Sequence, residues 1–132
     1  MYPKKVVQDT AKVLQSYLTY QAVRTIIDQL SETNPTLAIW LSHYTSSHSI
    51  QDGEAYIAGL MTENKELVLR IMTVREHLAE QVLEFLPEMV KTGIINDNTE
   101  HRRQLLERLT RTAISQPETS ELNLDVDDLP NP

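Results

Sequence analysis

The chain has 132 residues, of which 40% are hydrophobic and 23% charged, the size and composition of one globular domain with an apolar core. It has no cysteine, which excludes a disulfide, a thiolate metal site and a cysteine nucleophile. The formal net charge is −7, but five acids (Glu118, Glu121, Asp125, Asp127, Asp128) and no Lys or Arg follow Gln116, so −7 minus −5 leaves −2 on the body. A near-neutral body argues against a phosphate backbone as partner.

Only 3 glycines occur, while Leu, Glu, Gln, Arg and Ala are common, which favours helix over sheet because strand-rich folds need glycine turns. No run of apolar residues reaches the length of a membrane span. The N-terminal MYPKKVVQDT lacks a signal-peptide apolar core and the Arg- and Ser-rich character of a transit peptide, so no targeting segment is expected.

The first predicted helix begins at Pro3 and runs to about Glu32, where Asn34-Pro35 stops it, because a residue before proline avoids helical geometry. Leu14, Leu18, Ala22, Ile26 and Leu30 step by four and form a core-facing row. Val13, Tyr17, Tyr20, Arg24 and Ile27 fall in a second band on the other side. A bundle helix usually needs one apolar face. The tyrosine band is therefore either a second packing face or a surface for a partner.

Asn34 is placed to cap a short second helix, about Thr36 to His43, with Leu37, Trp40 and Leu41 as its apolar residues. YTSSHS reads as a polar loop. Ser49 and Asp52 resemble a capping box for a third helix, about Ile50 to Met61, with Tyr56, Ile57 and Leu60 on one side. The fourth helix is the strongest signal, with Leu67, Ile71, Val74, Leu78, Val82, Phe85 and Met89 spaced by three or four. Pro87 is expected to kink it. Gly93 and Asn96–Asp97–Asn98 are candidate breaks, and Asp97 with Glu100 could cap a separate helix from Asn98 to Ile114. If the helix is instead continuous from about Asn64 to Ile114, its length is about 75 Å at 1.5 Å per residue. Leu105, Leu106 and Leu109 would then be uncovered, and an antiparallel second copy is the simplest cover. From 116 to 132 three prolines and the acids predict a disordered tail.

Catalytic chemistry is sparse. His43, His48, His77 and His101 show no metal-ligand spacing, and no Gly-rich phosphate loop occurs. Glu76, Glu80 and Glu84 recur as charges do on any solvated helix face. HRRQLLERLTR, from His101 to Arg111, raises a helical DNA-binding regulator as the alternative reading, although its leucines and Glu107 fit an amphipathic helix better. A bundle enzyme built from scattered carboxylates and histidines has no motif behind it.

The blocks DTAKVLQSYLTYQAVRTII, ETNPTLAIWL, IQDGEAYI, LRIMTVREHLAEQVLEFLPEMV and RRQLLERLT, in this order across residues 8 to 110, closely resemble RbcX, the assembly-chaperone family of the Rubisco large subunit. The resemblance implies an all-α protomer and an antiparallel homodimer held along the long, Pro-kinked C-terminal helix. It implies a chaperone domain over 1–115 and no part in the match for the tail. A central apolar groove would bind an extended C-terminal peptide of the large subunit, with Tyr17, Tyr20, Thr33, Asn34, Ile50 and Gln51 at the matching positions. A polar periphery, Gln29, Glu32, Arg70 and Arg102, would meet a second large subunit. Assembly of the core of large subunits would follow, with the chaperone displaced by small subunits. No catalysis, cofactor, metal, nucleic acid or membrane is implied, and the place implied is the cytoplasm, with carboxysome association. On the residues alone, Gln29 and Glu32 could be solvated last-turn residues, and Arg70 could pair with Glu66 at helical spacing.

Overall fold

A computed structural model describes residues 2–115 of the chain, and the predicted tail lies outside them. Four helices follow one another: α1 (Tyr2–Thr33), α2 (Pro35–Ser47), α3 (Gly53–Glu63) and α4 (Lys65–Ser115). No strand occurs among the described residues. The chain divides into two units, Met1–Phe85 and Leu86–Pro132, with α4 contributing to both.

Each boundary in the first unit has a local cause. Asn34 accepts a hydrogen bond from the Leu37 N–H at 3.3 Å, and Pro35 occupies the first helical position of α2, where its missing N–H matters least. Asp52 accepts from the Ala55 N–H at 3.2 Å and starts α3. Asn64 accepts from the Leu67 N–H at 3.1 Å and turns the chain into α4.

The core of this unit is the row expected on α1. Leu18, Ala22, Ile26 and Leu30 are buried, joined by Thr19 and Val23, while Leu14 is half-buried. Ala38 and Leu41 of α2, Tyr56, Ile57 and Leu60 of α3, and Leu67, Val68 and Ile71 of α4 complete it. Burial then fades along α4. Val74 and Leu78 pack at the edge of the core, and Phe85 is exposed.

Two expectations need correction, and the open choice over α4 is resolved. The YTSSHS stretch is not a loop, since α2 continues through Ser47. Tyr44 stacks between Trp40 (5.4 Å) and His48 (4.0 Å) at spacings of four, so an aromatic row holds that last turn. Ser46 and Ser47 turn their hydroxyls onto the carbonyls of Ser42 and His43. α3 starts at Gly53 on an Asp52 cap, so Ile50, Gln51 and the Ser49 box precede it. Finally, α4 does not break. It runs through Pro87, Gly93 and Asp97 to Ser115, and no second helix begins at Asn98. One glycine weakens a helix by only about 1 kcal/mol, too little to end one with helix formers on both sides.

In the second unit, Val90, Ile94, Ile95, Leu106 and Leu109 are all exposed apolar residues of α4. A Cβ placed on Gly93 would meet nothing within 4 Å. Throughout the molecule, helical hydroxyls bond their own backbone. Thr19, Thr25, Thr33, Thr45, Thr73, Thr99, Thr110 and Thr112 each donate to the carbonyl four residues back, a common resting place for a mid-helix threonine.

Candidate functional site

With one side of α1 in the core, the tyrosine band stands outside it. Tyr17 is 57% exposed and Tyr20 37%, with Val13 at 72%. Only Ile27 of that band packs against the core. The chain's own folding therefore leaves both rings with a free side.

Two clefts flank the pair. Tyr20, Arg24, Ile27 and Asp28 of α1 face Ser42, Thr45 and Ser46 of α2 around a cleft of about 390 Å³. The Arg24 guanidinium lies 5.9 Å from the centre of the Tyr20 ring, within the range of a cation–π contact. Towards the start of α1, Lys12, Val13 and Ser16 line a second cleft with Gln51, Asp52 and Glu54.

The α3 start is fixed against α1 beside this second cleft. Gly53 donates its N–H to Ser16 Oγ at 3.2 Å and is buried. Arg75 of α4 donates to Thr19 Oγ1 at 3.2 Å and to Glu54 Oε2 at 2.6 Å. This tie joins α1, α3 and α4 beneath the tyrosine segment.

The six groove candidates are distributed, not clustered. Gln51 shares a cleft with Ser16, and Ile50 is half-buried against the core. Thr33 and Asn34 lie at the opposite end of α1, about 25 Å away along the axis from Ser16 at 1.5 Å per residue. Tyr17 and Tyr20 fall between the two ends. Thr33 donates its hydroxyl proton to the Gln29 carbonyl at 3.0 Å, and Asn34 Oδ1 receives the Leu37 N–H. What remains for a ligand is an acceptor lone pair on Thr33 and the amide donors of Asn34.

Of the peripheral candidates, Gln29 and Arg70 meet. Arg70 Nη2 donates to Gln29 Oε1 at 3.1 Å, and both line a shallow cleft with Glu66, Leu69 and Thr73. The bond across α1 and α4 replaces the Glu66 pairing considered for Arg70. Glu32 is exposed on the last turn of α1, and Arg102 is exposed on α4 in the second unit. Arg24 and Arg75 were absent from the candidate set. Arg24 falls inside the tyrosine band by helical spacing alone; Arg75 has no sequence signal, because its partners are 56 and 21 residues away.

The basic stretch of α4 is internally compensated. Arg103 bonds Glu100 and Glu107. The Arg103 bond holds the Glu100 carboxyl below its usual range, and the same bond pushes the guanidinium up. Over residues 86–115, five bases (Lys91, Arg102, Arg103, Arg108, Arg111) stand against four acids (Glu88, Asp97, Glu100, Glu107). Such a surface offers little to DNA phosphates. Among the described residues no three His, Asp or Glu side chains gather as a metal site, and no helix is long and apolar enough to cross a membrane.

Comparison with known proteins places this arrangement. The family model described as RbcX protein matches residues 1–111. The RuBisCO chaperone RbcX of Anabaena sp. (strain CA / ATCC 33047) is 60% identical over 114 residues, 86% of this chain and 84% of the relative. A crystal structure of RbcX in complex with substrate is similar at 64% identity and a TM-score of 0.77, covering 83% of this chain and 99% of that one. The crystal structure of the RbcX point mutant Y17A/Y20L is similar at 62% identity and a TM-score of 0.76, covering 80% and 98%.

Proposed function

The chain belongs to the RbcX family, and from that membership we propose that it is an assembly chaperone, not an enzyme, whose client is the Rubisco large subunit. The observation that carries the reading is the exposure of Tyr17 and Tyr20 on a helix whose opposite side is buried from Leu18 to Leu30. Two aromatic rings with polar tips supply contact area to an apolar client segment while their hydroxyls remain in water or reach peptide backbone.

The client is an extended C-terminal peptide of the large subunit. Tyr17, Tyr20 and Thr33 spread over about 24 Å of α1, with Asn34 just past its end and Gln51 ahead of α3, a length that about seven residues of extended chain cover at 3.3 Å each. Thr33 offers an acceptor and Asn34 offers donors, the complements of a peptide N–H and C=O. Ile50 contributes apolar wall. Gln29, Glu32, Arg70 and Arg102 form the second, polar contact with another large subunit. Polar contacts favour fast, reversible encounter, as a chaperone displaced by small subunits requires.

The working unit is an antiparallel homodimer held along α4. Val90, Ile94, Ile95, Leu106 and Leu109 supply exposed apolar side chains for it, and large exposed apolar surface marks association sites. Residues 1–115 form the chaperone domain, and 116–132 are an appended acidic tail. The protein acts in the cytoplasm, with the carboxysome as a further place of action.

The test is titration with a peptide copying the C-terminus of the Rubisco large subunit, followed by NMR. Perturbation centred on Tyr17, Tyr20 and Gln51 is expected, with a Kd of tens of micromolar or tighter. No binding in that range, with Tyr17→Ala indistinguishable from wild type, sinks the groove. Sedimentation at protomer mass at micromolar concentration sinks the dimer.

A further inference from the structure

Arg75 reaches the back of the tyrosine segment, not its face. Thr19 lies between Tyr17 and Tyr20 in sequence, yet it is fully buried, and at about 100° per residue it leaves α1 on the side opposite Tyr17. Its hydroxyl donates to the Gln15 carbonyl at 2.8 Å and accepts from Arg75 Nη1. The same nitrogen donates to Glu54 Oε2. Glu54 is the second residue of α3. Gly53, the first, is seated on Ser16 by its N–H and leaves no room for a Cβ against Thr19. The start of α3 therefore rests on one seat on α1, and one arginine clamps it there from α4.

A wall of the groove hangs from that seat. Residues 48–52 connect α2 to α3. Within them Ile50 is half-buried against the core and its neighbours are exposed. The Gln51 N–H is accepted inside the same stretch, by Ser49 Oγ at 3.3 Å. Only Asp52 separates Gln51 from Gly53, and Gln51 shares its cleft with Val13 of the tyrosine band. The place of Gln51 against the band thus follows from where α3 is seated. We propose that Arg75 is a positioning residue of the groove: by holding Thr19 and Glu54 it fixes the Gln51 wall against the tyrosine floor, without touching the client. This rests on the peptide-groove reading and adds to it a residue from outside the groove. A wall fixed before the client arrives loses less freedom on binding, so affinity depends on the tie behind it.

The test is the affinity of the full chain for the Rubisco C-terminal peptide, at a temperature where circular dichroism shows every variant fully folded. Under that condition a loss of stability alone leaves Kd unchanged. Arg75→Met keeps the stem and removes the donors, and is expected to weaken binding about fivefold or more. Thr19→Val removes the acceptor of the same tie; it is expected to weaken binding too, and it serves in place of Arg75→Met should that variant not fold. Arg75→Lys returns charge and donors on a shorter chain and is expected to recover part of the loss. A double-mutant cycle locates the effect. Once Gln51→Ala has removed the wall, Arg75→Met is expected to cost less than about twofold, whereas beside Thr33→Val, at the other end of α1, it costs the full amount. An unchanged Kd in both Arg75→Met and Thr19→Val makes the tie structural only and overturns the proposal while the groove stands. So does an equal loss with and without the Gln51 side chain. If the peptide does not bind wild type, the groove falls and the positioning role with it.

Discussion

Gly53 stands against Thr19 so closely that a Cβ added to the glycine would lie 2.9 Å from the Thr19 hydroxyl oxygen and 3.3 Å from the Cα of Ser16. The second contact is with backbone, which cannot rotate away. Gly53→Ala is therefore expected to push α3 off α1 and to lower stability by about 1–3 kcal/mol. Urea denaturation at fixed protein concentration measures it. Unchanged stability would mean that α3 shifts without loss.

Arg75 and Glu54 form an asymmetric pair, with the arginine side chain 23% exposed and the carboxylate 64%. Arg75→Ala removes two hydrogen bonds and a stem packed between helices, and is expected to cost about 1–2 kcal/mol. Glu54→Ala removes an exposed partner and is expected to cost about 0.5 kcal/mol or less. The same denaturation series ranks them, and the reverse order would contradict the arrangement.

Ile26 and Tyr17 belong to one helix but to different surroundings. Ile26 is 1% exposed and Tyr17 57%. Ile26→Ala should destabilise by about 2–5 kcal/mol. Tyr17→Ala should leave folding stability within about 1 kcal/mol of wild type while weakening peptide binding. A large loss of stability in Tyr17→Ala would return the ring to the protein's own packing.

Tyr56 sits in the core, its hydroxyl 2.8 Å from Thr45 Oγ1. The Thr45 proton is directed to the Leu41 carbonyl, so Tyr56 is the donor in this pair. Burial pushes the phenol above its ordinary value of 10.0. The folded state then holds the proton more tightly than the unfolded chain. The contribution is complete below pH 10.0 and is lost as pH rises through the folded-state value. Tyr56→Phe should flatten the alkaline fall in stability seen by thermal melts above that pH.

Periodicity revealed much of the fold because α1, α3 and the first half of α4 bury one face each. Leu18, Ala22, Ile26, Leu67 and Ile71 follow directly from spacing. The α2 end was hidden because serine and threonine are poor local helix signals, whereas the Trp40–Tyr44–His48 stack acts through side chains. The continuity of α4 is one of two readings the sequence allows, because Gly93 and Asn96 favour a break only weakly. Of the candidate site, the tyrosine band could be read from α1 alone. The Gln29–Arg70 bond could not, since 41 residues separate the two. Thr33, Asn34 and Gln51 are groove candidates only through family resemblance, as no spacing rule joins them.

The inward-turned hydroxyls change what a visitor meets. Thr33 and Thr45 each direct their one proton to their own backbone, so at both positions threonine presents a methyl group and a lone pair. Such a surface accepts a hydrogen bond from water but donates none. A peptide strand laid there meets acceptors only, so its N–H groups and not its carbonyls find partners. Donors for the carbonyls come instead from side chains such as the Asn34 amide, whose oxygen alone is taken by the Leu37 N–H.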